Sequence, residues 1–421
     1  MIHFGLICPP GVSHITGLTG IARELCRRGH RATLFHILDF ENVARQEGVE
    51  FFPLGTHVFP KGALEHFARQ LSHAHGLKLL LLGRESELRS ISMYLDEAPD
   101  ALSKSGVTAL LVDQFEAPGS TIAERLGLPF VTICNAVSLN PDPALPPPIV
   151  SWDPASSRAE QLRMRIAWGL FELVLTPMRH RINRYRKAWG LKSLKGLHDT
   201  ASPILQLAQQ TEEFDFPRQS RPSQFRYIGL IRREGSSRLP FPFDRLDGRP
   251  LVYGSLGTLR SDTDGMFHVL AQACSDLDLQ LVITLGGKDD LSKYSELPGA
   301  PVVVKNAPQL KVLERAAITF CHGGNNTVLE SLAAGVPVIA VPLNGDQYGV
   351  AARLQYSGAG ERIMLKELNA LHLRDVLRKI LSQPSYTERA RAMQASLQRA
   401  GGERRAADLI EEKLSSCTTL V

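Results

Sequence analysis

The sequence is poor in cysteine and has no long apolar run. Its six cysteines are scattered over 421 residues, without a close pair of the zinc-knuckle or redox type. We therefore expect reduced thiols, a cytoplasmic setting and no metal site. No segment approaches the ~20 consecutive apolar residues that a membrane-spanning helix needs. Residues 1–10 lack the basic start and long apolar core of a signal peptide, so we expect no secretion signal.

Charge and composition exclude further classes of protein. A net charge of +5 is too small to indicate nucleic-acid binding, and the chain has no short-period repeat or low-complexity tract. The apolar share of 43% suffices for buried sheets, and the charged share of 22% is ordinary for a globular protein. A chain of 421 residues exceeds what one hydrophobic core usually serves, which predicts two domains.

Strand and helix patterns alternate in two halves of the chain. Residues 2–7 predict a buried strand, and the helix after it places Ile15, Leu18 and Ile21 on one face. Continuous apolar strands separated by helices predict an α/β fold with parallel sheets covered on both faces. Prolines interrupt the pattern between the halves. We predict a first domain at 1–215, a linker at 216–250, a second domain at 251–400 and a C-terminal segment at 401–421.

One βαβ unit in the second half carries a polar, glycine-rich turn. The strand predicted at 317–321 leads into His322 and a glycine pair, and a helix follows. A helix N-terminus offers free N–H groups and a positive dipole end to an anion, and glycine lets the anion approach the backbone. Asn326 and Thr327 add donors for phosphate oxygens, and His322 adds a donor or a charge. Glu330, one turn further on, suits a pair of ribose hydroxyls. The turn therefore predicts a site for a nucleoside diphosphate.

The same turn resembles the donor-binding box of the nucleotide-sugar-dependent glycosyltransferases, the UDP-glycosyltransferase superfamily. In that family the box extends to an Asp-Gln pair that contacts the sugar, and a second loop, after the first strand of the second domain, contacts the diphosphate. A plain turn is the alternative for both of these additions. The donor-binding residues that the resemblance implies are Ser255, Gly257, Thr258, Ala307, Gln309, His322, Gly324, Asn326, Thr327, Glu330, Asp346 and Gln347.

The resemblance covers nearly the whole chain and implies its fold. It implies two facing Rossmann-like domains, the GT-B fold, with a C-terminal helix that crosses back onto the first domain. The first domain would then bind the acceptor and the second the nucleotide sugar. Within the family, residues 112–116, 123–130 and 140–142 are similar to the bacterial zeaxanthin glucosyltransferases. The implied acceptor is a carotenoid diol.

Transfer of a sugar to an alcohol needs a base for the hydroxyl proton. His14 follows the first strand, and Asp113 ends the strand predicted at 107–112, which suits an imidazole and the carboxylate that fixes its tautomer. The resemblance implies the same catalytic pair. The alternatives are a solvated loop histidine and a helix-capping aspartate.

Two positions depart from the family pattern. Asn306 stands where many relatives have a tryptophan that stacks on uracil, so base recognition must use other contacts, such as the backbone near Ala307. Gly17 stands where relatives often have proline, three residues after the catalytic histidine. We expect that change to affect loop stiffness more than chemistry.

Residues 158–195 hold ten Lys or Arg and only two Glu, interleaved with aromatic and aliphatic residues. Such a stretch is typical of a helix that lies on an anionic membrane surface, where a carotenoid would be found. The alternative is a solvated helical face over the acceptor cleft. The first case predicts a protein that is peripheral at the inner membrane face.

The sequence thus predicts an inverting glycosyltransferase that moves a hexose, glucose from UDP-glucose, to a lipophilic acceptor such as zeaxanthin. It predicts a nucleotide-sugar co-substrate, no other cofactor and no nucleic-acid partner. Within the class, the acceptor could instead be a macrolide, a polyphenol or another secondary metabolite. From other classes, a nucleotide-sugar epimerase and an inactive donor-binding homologue are alternatives, and the intact His14 and Asp113 disfavour the latter.

Overall fold

The computed structural model describes residues 1–72, 76–232, 239–257, 264–287 and 290–418. A seven-stranded parallel sheet forms the first half, in the order β3-β2-β1-β4-β5-β6-β7. Its strands are β1 His3–Ile7, β2 Arg31–His36, β3 Glu50–Pro53, β4 Ala109–Asp113, β5 Phe130–Cys134, β6 Gln206–Ala208 and β7 Phe225–Tyr227. Its helices are α1 Val12–Arg27, α2 Glu41–Gln46, α3 Ala63–Ser72, α4 Gly76–Lys104, α5 Pro118–Leu126, α6 Arg158–Val174 and α7 Thr176–Ala188.

A six-stranded parallel sheet forms the second half, in the order β10-β9-β8-β11-β12-β13. Its strands are β8 Leu251–Ser255, β9 Gln280–Thr284, β10 Val302–Val304, β11 Ala316–Cys321, β12 Val338–Ala340 and β13 Gly360–Arg362. The helices are α8 Asp264–Ser275, α9 Gln309–Leu313, α10 Asn325–Ala333, α11 Gln347–Ser357, α12 Ala370–Ser382, α13 Pro384–Ala400 and α14 Gly402–Thr418. Short 3₁₀ helices lie at Leu38–Phe40, Leu197–Thr200, Phe243–Arg245, Ser292–Tyr294 and Leu365–Glu367.

The central strands are buried along their whole length. Every residue of β1, β4, β8 and β9 is buried, as expected for strands that helices cover on both faces. In each sheet the strand order reverses beside the first strand in sequence, between β1 and β4 in one sheet and between β8 and β11 in the other. Ligands of such sheets bind in the crevice at the carboxyl ends of these strands. The topology therefore places the predicted site residues after β1, β4, β8 and β11 in crevices of this type.

The predicted linker belongs partly to each half. Within 216–250, β7 is the edge strand of the first sheet and pairs with β6. Phe241 and Phe243 instead pack against the core of the second half. The sequence boundaries did not anticipate the short strand, because Phe225–Tyr227 is only three residues long and stands among prolines.

The C-terminal helix α14 packs on the first half, as predicted. Ala406 and Ile410 are fully buried in the core of the first sheet. Arg28, just after α1, donates to Asp408 and to Glu411, each at 2.7 Å. The C-terminal helix therefore follows the second half in sequence but packs on the first half.

A buried ion pair joins the two halves. Arg353 of α11 donates from Nε to Asp215 Oδ1 at 2.6 Å, and both side chains are almost fully buried. Asp215 also accepts from Arg218 at 2.8 Å and from the Tyr227 hydroxyl at 2.6 Å. Burial raises the pKa of Asp215, but the two arginines outweigh it and hold that pKa well below the usual range. The carboxylate is therefore charged throughout the neutral range.

We expect Asp215→Asn to lower the free energy of unfolding by about 3 kcal/mol, because it leaves a buried guanidinium without its counter-charge. A carboxylate with a lowered folded-state pKa contributes stability above its unfolded pKa and loses that contribution as pH falls through the folded pKa. The deficit should therefore be constant between about pH 5 and pH 8 and shrink only in strong acid. Urea denaturation measures it. The control is Asp375→Asn, whose pair with Arg378 is exposed and worth less than about 1 kcal/mol. Equal effects of the two substitutions would contradict the account.

Candidate active site

His14 and Asp113 meet at the carboxyl ends of β1 and β4. His14 Nδ1 lies 2.8 Å from Asp113 Oδ2. His14 stands in the first turn of α1, not in a loop, so the helix fixes its backbone. The Asp113 side chain is fully buried, whereas that of His14 is 24% exposed. Because an ionised carboxylate only accepts hydrogen bonds, Nδ1 carries the proton and Nε2 is left with a free lone pair.

Asp113 has two further donors, which keep its carboxylate in place. The backbone N–H of Phe115 donates to Oδ1 at 2.9 Å, and Asn135 Nδ2 donates to Oδ2 at 2.8 Å. The Phe115 ring also meets the His14 imidazole edge-on, with 5.8 Å between centroids. The imidazole is therefore held by one hydrogen bond and one aromatic contact.

The charge state of His14 depends on both halves of the chain. Burial lowers the pKa of the imidazole, but the charge and hydrogen bond of Asp113 raise it, and so does the charge of Asp346 from the second half. The net pKa lies above the ordinary value of 6.5. Burial raises the pKa of Asp346, and the His14 charge opposes that shift. The predicted base and the predicted sugar-binding carboxylate are therefore close enough for their charges to interact.

Helix α10 begins beside this pair with its first turn open. Gly324 is the N-cap residue and supplies no side chain to the free N–H groups. A Cβ at Gly324 would lie 2.6 Å from His322 Nε2, and a Cβ at Gly257 would lie 2.9 Å from its Cε1. Gly257 also has a φ of +76°, which only glycine adopts readily. The two glycines thus make room for the His322 ring.

His322 is neutral in this structure and does not provide the charge that the sequence left open. Burial lowers its pKa to about 4, against a smaller opposing effect of the Ser255 backbone. Its Nδ1 is buried, and the described residues offer that atom no hydrogen-bond partner. Ser255 is buried at the end of β8, whereas the predicted Thr258 lies outside the described residues. His322 and Ser255 therefore adjoin the N-terminus of α10 as neutral polar groups.

The predicted ribose site is assembled from three elements. The Gln309 side-chain amide donates to the Glu330 carboxylate, and the Tyr253 hydroxyl donates to Gln309 Oε1 at 2.9 Å. Glu330 is 5% exposed, and Ala307 is buried at the start of the same box. Asn306, in place of the family's tryptophan, is exposed. The structure thus brings together Gln309 and Glu330, and the ligand roles of Ala307, Gln309 and Glu330 stay predictions.

Two predicted residues have other partners in this structure. Gln347 Oε1 accepts from the backbone N–H groups of Leu343 and Asn344, at 2.9 and 3.1 Å, so it shapes the turn before α11. Asn326 Oδ1 accepts from Gln209 Nε2 at 2.8 Å. For Thr327 the structure gives a half-buried position in the first turn of α10. The ligand roles of these three residues stay predictions.

Asn135 is the residue that sequence reasoning missed. Its Nδ2 donates to Asp113 and, at 3.3 Å, to the His14 backbone carbonyl, while the backbone carbonyl of Asn135 accepts from Asn325 Nδ2 at 3.1 Å. Asn325 is the first residue of α10 and also accepts from Gln210 at 3.2 Å. Asn135 therefore links the His14–Asp113 pair to the helix that faces the predicted diphosphate. The position of Asn135, directly after β5 at the same sheet edge, is the signal that could have identified it.

Known proteins of similar sequence identify the family. Residues 193–398 match the model of the UDP-glucoronosyl and UDP-glucosyl transferase family. The chain is 32% identical to a zeaxanthin glucosyltransferase of Pantoea ananas, over 99% of this chain and 97% of that protein. It is 33% identical to a zeaxanthin glucosyltransferase of Pseudescherichia vulneris, over 99% and 98%. The chain belongs to the UDP-glucoronosyl and UDP-glucosyl transferase family.

Solved structures confirm the GT-B fold of this glycosyltransferase. The glycosyltransferase of kitacinnamycin superposes with a TM-score of 0.75 over 98% of both chains, at 22% identity. The calicheamicin glycosyltransferase superposes with a TM-score of 0.74 over 99% of both chains, also at 22% identity. The family assignment makes the protein a glycosyltransferase enzyme and disfavours the epimerase alternative.

The described part of the glycosyltransferase contains neither a cluster of metal-binding side chains nor a helix that could span a membrane. Within it, no group of three or more His, Cys, Asp or Glu side chains could hold a metal ion. No helix in the same residues is both long and apolar enough to cross a bilayer.

Gly17 leaves room for Asn135. A Cβ at Gly17 would collide with the Asn135 side-chain amide, a contact that our expectation of an effect mainly on loop stiffness did not include. Gly17 lies inside α1, where alanine normally stabilises a helix by about 0.5–1 kcal/mol. We expect Gly17→Ala to lower the rate of sugar transfer about tenfold, because the displaced Asn135 no longer donates to the Asp113 carboxylate. The melting temperature should not rise above that of the wild type, because the collision offsets the gain in helix stability.

The matched control is Gly169→Ala in α6, where a Cβ meets no atom within 4 Å. This variant should gain helix stability and keep the wild-type rate. Steady-state kinetics with thermal melts of both variants make the comparison. An unchanged rate in Gly17→Ala would contradict the positioning role of Asn135.

Proposed function

We propose that this glycosyltransferase moves glucose from UDP-glucose, with inversion, onto a hydroxyl of a lipophilic acceptor, a carotenoid diol such as zeaxanthin. The observation that carries the proposal is the His14–Asp113 pair, whose charge state Asp346 affects and which Asn135 links to the N-terminus of α10. The printed names of the two relatives at 32% and 33% identity support the acceptor.

In this reaction the neutral His14 accepts the acceptor hydroxyl proton at Nε2 as the oxygen forms its bond to the anomeric carbon. Asp113 stabilises the imidazolium that results. The bond from that carbon to the diphosphate oxygen breaks at the same time, and the diphosphate leaves with the electron pair. The first N–H groups and positive dipole end of α10 stabilise its charge. Direct attack opposite the leaving group inverts the anomeric carbon, so the step needs no protein nucleophile.

The remaining donor contacts follow from the assembled box. Glu330 would accept from the ribose hydroxyls, and the backbone near Ala307 would contact the base in place of an aromatic stack. Asp346 would accept from the sugar hydroxyls. The proposal includes no metal and no cofactor other than the nucleotide sugar, because α10 and His322 supply the diphosphate contacts.

The first half contains a cavity of about 610 Å³, in which we propose that the acceptor binds. Its apolar lining consists of Val58, Leu81, Leu88 and Met93, and its charged lining of Arg84, Glu85, Arg89, Asp96, Glu97 and Arg181. We further propose that the enzyme works in the cytoplasm as a peripheral protein at the inner membrane face, where such an acceptor is dissolved.

The direct test is release of UDP from UDP-glucose with zeaxanthin in detergent and EDTA, beside a panel of flavonoid and macrolide alcohols. We expect zeaxanthin-dependent turnover that His14→Ala lowers about a hundredfold or more, since the variant has no base. UDP affinity, measured by calorimetry, should not change. The control is His198→Ala, whose imidazole is 47% exposed and which should keep full activity. Turnover only with other alcohols would remove the carotenoid assignment, and acceptor-independent UDP release would contradict transfer.

The pH dependence gives a second test. His14 acts as a base only when neutral, so kcat/KM should rise with pH through the pKa of His14, with the acid limb above pH 6.5. Because the Asp346 charge raises that pKa, Asp346→Asn should move the acid limb to lower pH. A profile that is flat between about pH 5.5 and pH 8, or a limb that Asp346→Asn leaves in place, would contradict this role of His14.

A further inference from the structure

Helix α6 carries an apolar stripe on the face that points away from the protein. The stripe consists of Leu162, Ile166, Leu170, Leu173 and Val174. Each of these side chains is between 56% and 73% exposed. Their spacings of four, four, three and one residues keep them on one side of an α-helix. The stripe extends over roughly 18 Å, since a helix rises ~1.5 Å per residue.

The opposite face of α6 holds the helix on the protein. Met164 is buried, and Trp168 donates from Nε1 to the Leu145 carbonyl at 2.9 Å. A capping box at Ser157 and Glu160 closes the N-terminus, with Ser157 Oγ accepting from the Glu160 N–H at 3.2 Å. The helix is therefore folded and oriented by the protein itself, and its exposed stripe is fixed in direction.

Basic side chains border the stripe on both edges. Arg158 and Arg165 lie along one edge and Arg163 along the other, by helical spacing, and all three are exposed. Arg163 also stacks on the Trp152 ring, with its guanidinium carbon 4.0 Å from the ring centroid.

The two acidic residues of α6 are engaged elsewhere. Glu160 serves the capping box, and Glu172 lies 3.3 Å from Arg179. The surface at the stripe is therefore apolar in the middle and positive at its borders.

We propose that this stripe of α6 docks the enzyme on an anionic phospholipid membrane. An amphipathic helix with an apolar face and basic edges lies in the interface plane, with the apolar face about 5–10 Å into the headgroup and acyl boundary. Anionic headgroups then meet the arginines at the edges. A second copy of the chain fits this surface poorly, because a two-fold contact through the stripe would bring the arginines of both copies together.

The purpose of the docking surface rests on the proposed function. Docking would bring the first half of the enzyme to an acceptor that is dissolved in the membrane. Through the hydrogen bond of Trp168 to Leu145, α6 contacts the loop of residues 141–148, which contains five prolines and reaches the second half. In that contact the Gly349 N–H donates to the Pro148 carbonyl at 2.9 Å. Gly349 lies in the first turn of α11, which begins directly after Asp346. The stripe is thus connected by short contacts to the start of α11, beside Asp346.

Sedimentation of the full chain with lipid vesicles tests the proposal without donor or acceptor. Vesicles of phosphatidylcholine with phosphatidylglycerol should bind the wild type, and vesicles of phosphatidylcholine alone should bind it less. Raising the salt concentration should weaken the anionic binding. Leu170→Gln with Leu173→Gln should weaken binding about tenfold or more, because two large apolar side chains no longer enter the interface.

The matched control is Leu365→Gln with Leu371→Gln, two exposed leucines of the second half at 46% and 62% exposure, and it should bind like the wild type. Arg158→Gln with Arg165→Gln should weaken only the binding to anionic vesicles. The proposal would be overturned if the stripe variant bound vesicles as well as the wild type does. It would also be overturned if the only effect of the stripe variant were to convert a dimer to a monomer. UDP release with detergent-dispersed zeaxanthin should stay within about twofold in the stripe variant, so a failure of the proposed function is seen separately.

Discussion

The hydrogen bond between His14 and the buried carboxylate of Asp113 is the interaction on which the reaction centre depends. A fully buried carboxylate is costly unless it is charge-paired and hydrogen-bonded, and Asp113 receives donors from His14, Phe115 and Asn135. Because three donors fix its oxygens, the imidazole has one tautomer and one orientation. The neutral imidazole then has a free lone pair on Nε2, which in the proposed reaction accepts the hydroxyl proton. Without that bond His14 would be an ordinary half-buried histidine.

The same centre is connected to the second half by polar contacts. Asn135 joins Asp113 to Asn325 at the start of α10, and Asp346 lies close enough to influence the charge of His14. The buried Asp215–Arg353 pair holds the halves together farther from the cleft. The proposed base, the helix proposed to bind the diphosphate and the carboxylate proposed to bind the sugar therefore depend on one relative placement of the two sheets. A displacement of about 1 Å between them would be costly for the reaction.

Local sequence predicted the parts of this arrangement that local chemistry determines. Buried strands followed by polar turns made His14, Asp113 and the box from His322 to Glu330 the candidates, because ligands bind where such strands end, and the structure places them at those strand ends. The links between the halves could not be predicted in this way. Asn135 and Asn325 are 190 positions apart, and Asp215 and Arg353 are 138 apart. Nothing within either segment indicates which distant residue it contacts. The contact of Asn326, predicted as a phosphate ligand, with Gln209 could not be predicted for the same reason.

The most direct test of the central claim is the tautomer of His14, measured by NMR on protein with ¹⁵N-labelled histidine and assigned with His14→Gln. The account predicts that, above its pKa, His14 carries its proton on Nδ1 and has an unprotonated Nε2, and that Asp113→Asn abolishes this preference. A neutral His14 with its proton on Nε2 in the wild type would contradict the account, because that nitrogen could not accept the acceptor's proton.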